Sequence, residues 1–167
     1  MRTNDVVALV ATIGALTLTS AARAQQREPT QAESTQPDPT QDAAPFSADV
    51  ERLAEQNDDF RRVLHTGPHV QLVLMSLRPG EEIGRETHDV EQCFFVVDGD
   101  GRVEAGGDTI SLSDGDVACV PGGTAHNIVN AGSEPLKLFT LYSPPQHARG
   151  TVHHTRADAQ RAEEAHG

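Results

Sequence analysis

The sequence has few basic residues and no long apolar segment, and both deficits exclude classes of function. It contains 13 Lys and Arg against 25 Asp and Glu, a formal net charge of −12 at pH 7. Because phosphate binding needs a basic patch and none is visible, we expect no nucleic-acid partner. The apolar run at residues 6–18 is shorter than the roughly 20 residues that a membrane-spanning helix needs.

Cysteine is also scarce, with only Cys93 and Cys119 in the chain. Neither has a second cysteine nearby at ligand spacing, which argues against a Cys-based metal site. Two interpretations of the pair stay open, namely one disulfide in an oxidising compartment or two small buried strand residues. We find no Ser-His-Asp signature, phosphate-cradling loop or dinucleotide fingerprint, and the sequence DGDG at 98–101 is typical of a hairpin turn.

The N-terminal part of the chain predicts export. Residues 1–24 combine Arg2, the apolar run and a small-x-small cleavage pattern, as a secretory signal peptide does. Residues 25–45 are polar and lack large apolar side chains, which predicts a disordered linker. We therefore expect an exported protein, periplasmic or secreted, without stable membrane insertion after cleavage. A single membrane anchor is the alternative.

The rest of the chain predicts an all-β domain at residues 46–155. Turn signals recur about every 8 to 12 residues, a spacing typical of a β-sandwich or barrel. A short helix is expected within 46–56, capped by Ser47, and a helical tail at 156–167. The predicted strands, starting near Val63, include residues 70–77, 93–97, 103–105, 109–112, 117–120, 125–129 and 136–142.

Two stretches carry candidate metal ligands. Residues 86–92 read ETHDVEQ, and residues 115–130 read GDVACVPGGTAHNIVN. Alternate residues of a strand share one face, and a barrel interior lets two hairpins bring such faces together. The predicted ligands, comprising one carboxylate, two imidazoles and one amide oxygen, are Glu86, His88, Gln92 and His126.

This donor set favours Mn or Fe, with Ni, Co and Zn as alternatives. Two His and one carboxylate are typical of non-haem Fe(II) and its neighbours, and an amide oxygen adds a hard donor. Glu91 is the alternative to Gln92, since a register change of one residue would exchange them. No catalytic residue or general base is identifiable. The polar C-terminal region, which we do not expect in the core, also contains His147, His153, His154 and His166.

Both stretches resemble the paired motifs of the cupin superfamily, G-x5-H-x-H-x3,4-E-x6-G and G-x5-P-x-G-x2-H-x3-N. Residues 115–130 match the second motif in full. The first motif keeps its frame at Gly80, His88 and Gly99. More broadly, residues 60–159 resemble small single-domain bacterial cupins, often labelled mannose-6-phosphate-isomerase-like.

The first motif departs from the family at two ligand positions. Glu86 stands where the first His is expected, and Gln92 stands where the Glu is expected. The exchange preserves the charge of the ligand set and replaces one nitrogen by an oxygen. It therefore indicates a variant metal site more than a lost one.

The resemblance implies a double-stranded β-helix, a jelly-roll barrel with short flanking helices and a metal between its sheets, and a homodimer through edge strands. Because cupins host many functions, we expect a metal-binding protein that acts on or recognises a small oxygen-rich ligand, a sugar or organic acid. As an enzyme it would be a metal-dependent isomerase, lyase or dioxygenase. The alternatives are a non-catalytic small-molecule-binding module and a structural barrel without metal.

Overall fold

The architecture comes from a computed structural model that describes residues 45–165. The predicted signal peptide, the predicted linker up to residue 44 and His166 lie outside this part of the chain. Within it, no helix is long and apolar enough to cross a membrane. The elements in chain order are α1 (Val50–Glu55), β1 (Arg61–Thr66), β2 (Gln71–Leu77), β3 (Glu91–Asp98), β4 (Gly101–Ala105), β5 (Asp108–Leu112), β6 (Val117–Val120), β7 (His126–Asn130), β8 (Leu136–Ser143), β9 (Val152–His153) and α2 (Arg156–Glu164).

The strands form two antiparallel sheets, which confirms the predicted all-β class. The larger sheet has the order β6-β3-β8-β2-β1-β9, and the smaller has the order β5-β4-β7. The segment before β3 joins the smaller sheet beside β7 through two isolated bridges, Glu82 with Val129 and Glu86 with His126. Together the two sheets build the double-stranded β-helix barrel.

Alternating side chains explain why the two sheets pack against each other. Phe94 and Val96 of β3 are buried, whereas the residues between and beside them are partly exposed. They share one core cluster with Val103 and Ile128 of the smaller sheet. Burying each such side chain contributes about 1.5–3 kcal/mol, so the barrel interior is the main source of stability.

The ends of the domain differ from the sequence expectation. The predicted cap at Ser47 is wrong, because Asp49 accepts the Arg52 N–H and α1 begins at Val50. Strand β9 was not expected, since two residues carry no readable alternation. Helix α2 begins at a capping box and buries Ala159 in the core cluster, so the C-terminal segment packs on the barrel.

Cys93 and Cys119 form a disulfide between β3 and β6. They lie opposite each other in the ladder, and neither side chain is buried. The neighbouring Phe94 and Ala118 face the interior, so the disulfide lies on the outer face of the sheet. The interpretation as two buried thiols is therefore wrong.

The two motif stretches meet at one glycine turn. The Gly123 N–H donates to the His88 carbonyl over 2.7 Å, and Gly123 has a φ of +79°, which glycine adopts most readily. A side chain at Gly122 would lie 2.8 Å from the Asp89 carbonyl oxygen. These two glycines therefore allow the turn before β7 to approach the chain that carries His88.

Asn130 closes the second motif by fixing the backbone at the end of β7. Its amide nitrogen donates to the carbonyls of Leu77 and Glu134, and its oxygen accepts the Gly132 N–H. Asn130 is almost completely buried, and its hydrogen bond to Leu77 is buried with it. The side chain braces the turn that follows β7.

Candidate metal centre

Three candidate ligands converge where the 82–86 segment meets β7. Glu86 and His126 exchange two backbone hydrogen bonds of 2.9 Å, which places their side chains next to each other. Glu86 Oε1 lies 3.0 Å from His88 Nε2 and 3.7 Å from His126 Nε2. The possible ligand atoms of the three residues all lie within 4.8 Å of one another. The side chains of Glu86 and His88 retain 17% and 12% exposure, so the centre opens toward solvent on their side.

Two of these ligand atoms have no hydrogen-bond partner. Glu86 Oε1 and His88 Nε2 are buried and have no hydrogen-bond partner, although they lie 3.0 Å apart. A buried polar atom without a partner is costly, by about 1–3 kcal/mol. A cation between the carboxylate oxygen and the ring nitrogen would satisfy both atoms at once.

His126 is oriented with one nitrogen toward the centre. Its Nδ1 lies 2.8 Å from the Thr124 carbonyl oxygen, so Nδ1 carries a proton and donates it there. Burial alone would lower the pKa of His126, but the Glu86 carboxylate and the Thr124 carbonyl together raise it above 6.5. Without a metal, a proton on Nε2 therefore occupies the position that a metal ion would take.

Glu86 is ionised at neutral pH. Burial alone would raise its pKa, but contacts with His126 and His88 and the charge of Arg61 lower it to about 2. The Arg61 guanidinium lies 3.9 Å from the second carboxylate oxygen. Glu86 is thus a largely buried carboxylate beside two imidazoles and not a solvated loop charge.

Gln92 is the fourth predicted ligand, and its side chain is completely buried. Its Oε1 lies 2.9 Å from His126 Nε2, and its Nε2 donates to the Tyr142 hydroxyl over 2.8 Å. Tyr142 thereby holds the amide with its oxygen toward the centre. Glu91, the alternative, is exposed, and it lies near the disulfide sulfurs on the outer side of the sheet.

Three residues that were not predicted as part of the site lie behind Glu86. They are Arg61, His147 and His153, and we call them the wall. Arg61 is 2% exposed, and its guanidinium contacts Glu163 of α2 at 3.1 Å. His153 lies opposite Arg61 in the β1–β9 ladder. The His147 ring packs edge-on against Tyr142, with 4.9 Å between ring centroids. The distant Gln71 hydrogen-bonds both the N–H and the carbonyl of His147 and so holds this loop at the centre. No local sequence pattern indicates such a contact.

The donor set fits a divalent metal. One carboxylate, two imidazoles and one amide oxygen point to a common region, and two of the four donor atoms are unpaired. Mixed nitrogen and oxygen donors suit Mn and Fe, and imidazole also suits Zn, Ni and Co. The structure therefore brings together all four predicted ligands.

Comparison with known proteins identifies the family. The model of the cupin domain matches residues 73–142. The uncharacterized protein YrkC of Bacillus subtilis is 44% identical over 127 residues, which cover 72% of this chain and 68% of YrkC. The chain belongs to the cupin family. This cupin is also 39% identical to the uncharacterized protein L612 of Acanthamoeba polyphaga mimivirus over 112 residues, 64% of this chain and 70% of L612.

Among solved structures, this cupin is similar to BH2720 from Bacillus halodurans. The TM-score is 0.70 with 40% sequence identity, and the match covers 72% of this chain and 97% of BH2720. TT1209 from Thermus thermophilus matches with a TM-score of 0.54 and 23% identity, a likeness of fold alone. The fold is therefore shared well beyond close sequence relatives, and the reaction must be argued from the site itself.

Proposed function

We propose that this cupin holds a divalent metal ion through Glu86, His88, Gln92 and His126 and uses it to bind a small oxygen-rich molecule, a sugar or an organic acid. Mn or Fe is the preferred ion, because two of the four donors are oxygens. Binding of the small molecule is the core of the proposal. Isomerase, lyase or dioxygenase chemistry would build on that binding.

The observation that carries the proposal is the unpaired pair of atoms, Glu86 Oε1 and His88 Nε2. Each is buried without a hydrogen bond although the two lie 3.0 Å apart. A site evolved only for packing would pair them, because an unsatisfied buried polar group costs stability. A carboxylate oxygen and an imidazole nitrogen that lie side by side without hydrogen bonds are the two atoms that a bound metal ion would satisfy.

The surrounding residues prepare these donors. His126, His88 and Arg61 lower the pKa of Glu86 and keep it ionised. The Thr124 carbonyl accepts a hydrogen bond from His126 Nδ1–H, and Tyr142 orients the Gln92 amide. Burial and the nearby Glu86 raise the pKa of Tyr142, so its hydroxyl stays protonated at neutral pH. A divalent ion held there would supply a positive centre that polarises oxygen atoms of the bound molecule.

The decisive experiment is elemental analysis of the protein purified without chelator, together with His88→Ala, His126→Ala and His69→Ala. His69 is exposed, so His69→Ala is a matched control for loss of a histidine. We expect about one metal ion per chain in the wild type and in the control, and a loss of metal in the two site variants.

The proposal is overturned if the wild type holds no stoichiometric metal and the two site variants melt at the wild-type temperature. Metal that remains in both site variants would place the ion elsewhere. Adding Mn²⁺ to the metal-free protein gives an independent measurement, since specific binding must raise the melting temperature.

We further propose that the protein is exported to the periplasm or secreted. The signal-like sequence of residues 1–24 supports this, and a solvent-exposed disulfide is compatible with an oxidising compartment. Expression of the full chain in a bacterial host should yield a mature protein that begins after residue 24 in the periplasmic or extracellular fraction. A full-length protein in the cytoplasm would contradict export and would leave the metal proposal unaffected.

A further inference from the structure

Unpaired buried polar atoms are concentrated around the proposed metal centre. Among residues 45–165, eight buried side-chain nitrogen or oxygen atoms lack a hydrogen-bond partner. Two of them are the proposed ligand atoms of Glu86 and His88. Three more are nitrogens in the adjoining wall, namely Arg61 Nε, His147 Nε2 and His153 Nδ1. A metal satisfies the first two atoms and leaves these three without an explanation.

The three nitrogens belong to one neighbourhood. Arg61 and His153 face each other across the β1–β9 ladder, and Arg61 reaches within 3.9 Å of Glu86. The rings of His147 and His88 both pack edge-on against Tyr142. Arg61 acts electrostatically on both imidazoles and lowers the pKa of each beyond the effect of burial. The wall therefore adjoins the metal ligands.

The position of His147 is built by a dedicated clamp. Gln71 is completely buried, and its oxygen accepts the backbone N–H groups of Gln146 and His147. Its amide nitrogen donates to the His147 carbonyl and to the Thr66 hydroxyl. A buried amide that makes three of its four hydrogen bonds to the backbone of one loop pre-organises that loop. Such support is typical of a binding position.

Together with a divalent ion at the proposed centre, the charge of the neighbourhood favours an anion. Arg61 is always charged, whereas the lowered pKa values favour the neutral forms of His147 and His153 at pH 7. Two carboxylates contact Arg61, the largely buried Glu86 at 3.9 Å and the 62% exposed Glu163 at 3.1 Å. A divalent ion at the proposed centre would make the region positive. Arg and imidazole nitrogens are suited to carboxylate oxygens.

We propose that Arg61, His147 and His153 form an anion subsite beside the metal ligands, which receives a carboxylate group of the bound molecule. The inference rests on the proposed metal site, and within the class of sugar or organic acid it selects the acid. The metal would bind one set of ligand oxygens while the three nitrogens bind the carboxylate.

The test uses the Mn²⁺-loaded full chain and two probes of equal size, glycolate and its neutral amide glycolamide. Calorimetric titration gives the Kd of each probe for the wild type, His147→Gln, His153→Gln and the exposed control His69→Gln. Elemental analysis of the same samples gives the Mn content, and thermal melting shows that each variant is folded. The Mn content thereby reports on the metal centre separately from the subsite.

We expect the wild type to bind glycolate at least about tenfold more tightly than glycolamide. His147→Gln and His153→Gln should each weaken glycolate binding by about tenfold, with Mn content and glycolamide binding unchanged. The control should match the wild type.

Equal affinities for the two probes in the Mn-loaded wild type overturn the subsite, whatever the variants do. The subsite is also overturned if His147→Gln and His153→Gln both bind glycolate as tightly as the wild type does. The unpaired nitrogens would then be satisfied by water and not by a ligand carboxylate. Both results leave the metal proposal intact if Mn is retained. A wild type that takes up neither Mn²⁺ nor any other divalent metal overturns both proposals.

Discussion

The two stretches that build the metal centre are held in the barrel by different means. Residues 115–130 include β6 and β7, which pair along their length with β3 and β4. Residues 82–86 belong to none of the nine strands. They meet β7 through two isolated bridges, a backbone hydrogen bond from Ile83 to Ile128 and the Asn127 side chain. This segment is therefore held more loosely than the frame of paired strands. It carries Glu86, one of the two departures from the family motif, whereas the other, Gln92, lies within β3. A ligand outside the paired strands can change without disturbing barrel closure.

The largest effect should come from removing a brace of the frame. Asn130→Ala leaves the carbonyls of Leu77 and Glu134 and the Gly132 N–H without their buried partner. We expect the free energy of unfolding to fall by about 3 kcal/mol, measured by urea denaturation of the metal-free protein.

Asn127→Ala is the matched comparison, since Asn127 hydrogen-bonds Gly84 and Glu82 of the loosely held segment. It should cost less stability than Asn130→Ala but weaken metal binding more. The reverse order would show that the 82–86 segment is part of the frame after all.

Glu86→His tests whether the loosely held ligand sets the choice of metal. It replaces the carboxylate by the imidazole of the family motif, so the donor set becomes richer in nitrogen. We expect the preference for Mn²⁺ over Zn²⁺ to fall by on the order of tenfold or more. Competition loading with equal concentrations of both ions, followed by elemental analysis, measures it. An unchanged ratio would mean that Glu86 is not a ligand.

Metal binding should also depend on pH through His126. Despite burial, Glu86 and the Thr124 carbonyl raise the pKa of His126. In the metal-free protein Nε2 therefore keeps its proton to a higher pH than an ordinary imidazole does, and a metal must displace that proton. Metal affinity should thus fall by about tenfold per pH unit below that pKa and level off above it. Glu86 contributes nothing in this range because its pKa is about 2.

The stability of the metal-free protein should follow the opposite trend. A raised pKa in the folded state stabilises below 6.5, and that contribution is lost as the pH rises through the raised value. The difference in melting temperature between metal-loaded and metal-free protein should therefore increase from pH 5.5 to 8. A constant difference would exclude His126 as the competing group.

The smallest effect on stability and metal affinity is expected at Glu163, which contacts Arg61 from helix α2. Glu163→Gln removes the ion pair with Arg61, but the Glu163 side chain is largely exposed. Exposed ion pairs contribute about 0–1 kcal/mol, so the free energy of unfolding and the metal affinity should hardly change. A large loss of metal affinity would mean that α2 controls the position of Glu86 through Arg61.

The sequence predicted the barrel because alternation and turn residues are local signals. Strands β2 to β8 lie where these signals are strong, and the motif spacing correctly predicts that Glu86, Gln92 and His126 meet. The residues of the proposed subsite were missed for a physical reason. His147 stands in a polar segment, and its hydrogen bonds to Gln71, 76 positions earlier, hold it beside the barrel interior. Such long-range support leaves no periodic pattern in the chain.

The disulfide also bears on which ion the barrel can hold. Cys93 follows Gln92 directly in β3, yet alternation sends their side chains to opposite faces of the sheet. A thiolate near the centre would compete for soft ions such as Cu(I) and Zn²⁺. Here each sulfur is bonded to the other, with the thickness of the sheet between them and the interior. The two cysteines therefore offer no thiolate to the proposed centre, and an ion bound there would be selected by oxygen and nitrogen donors.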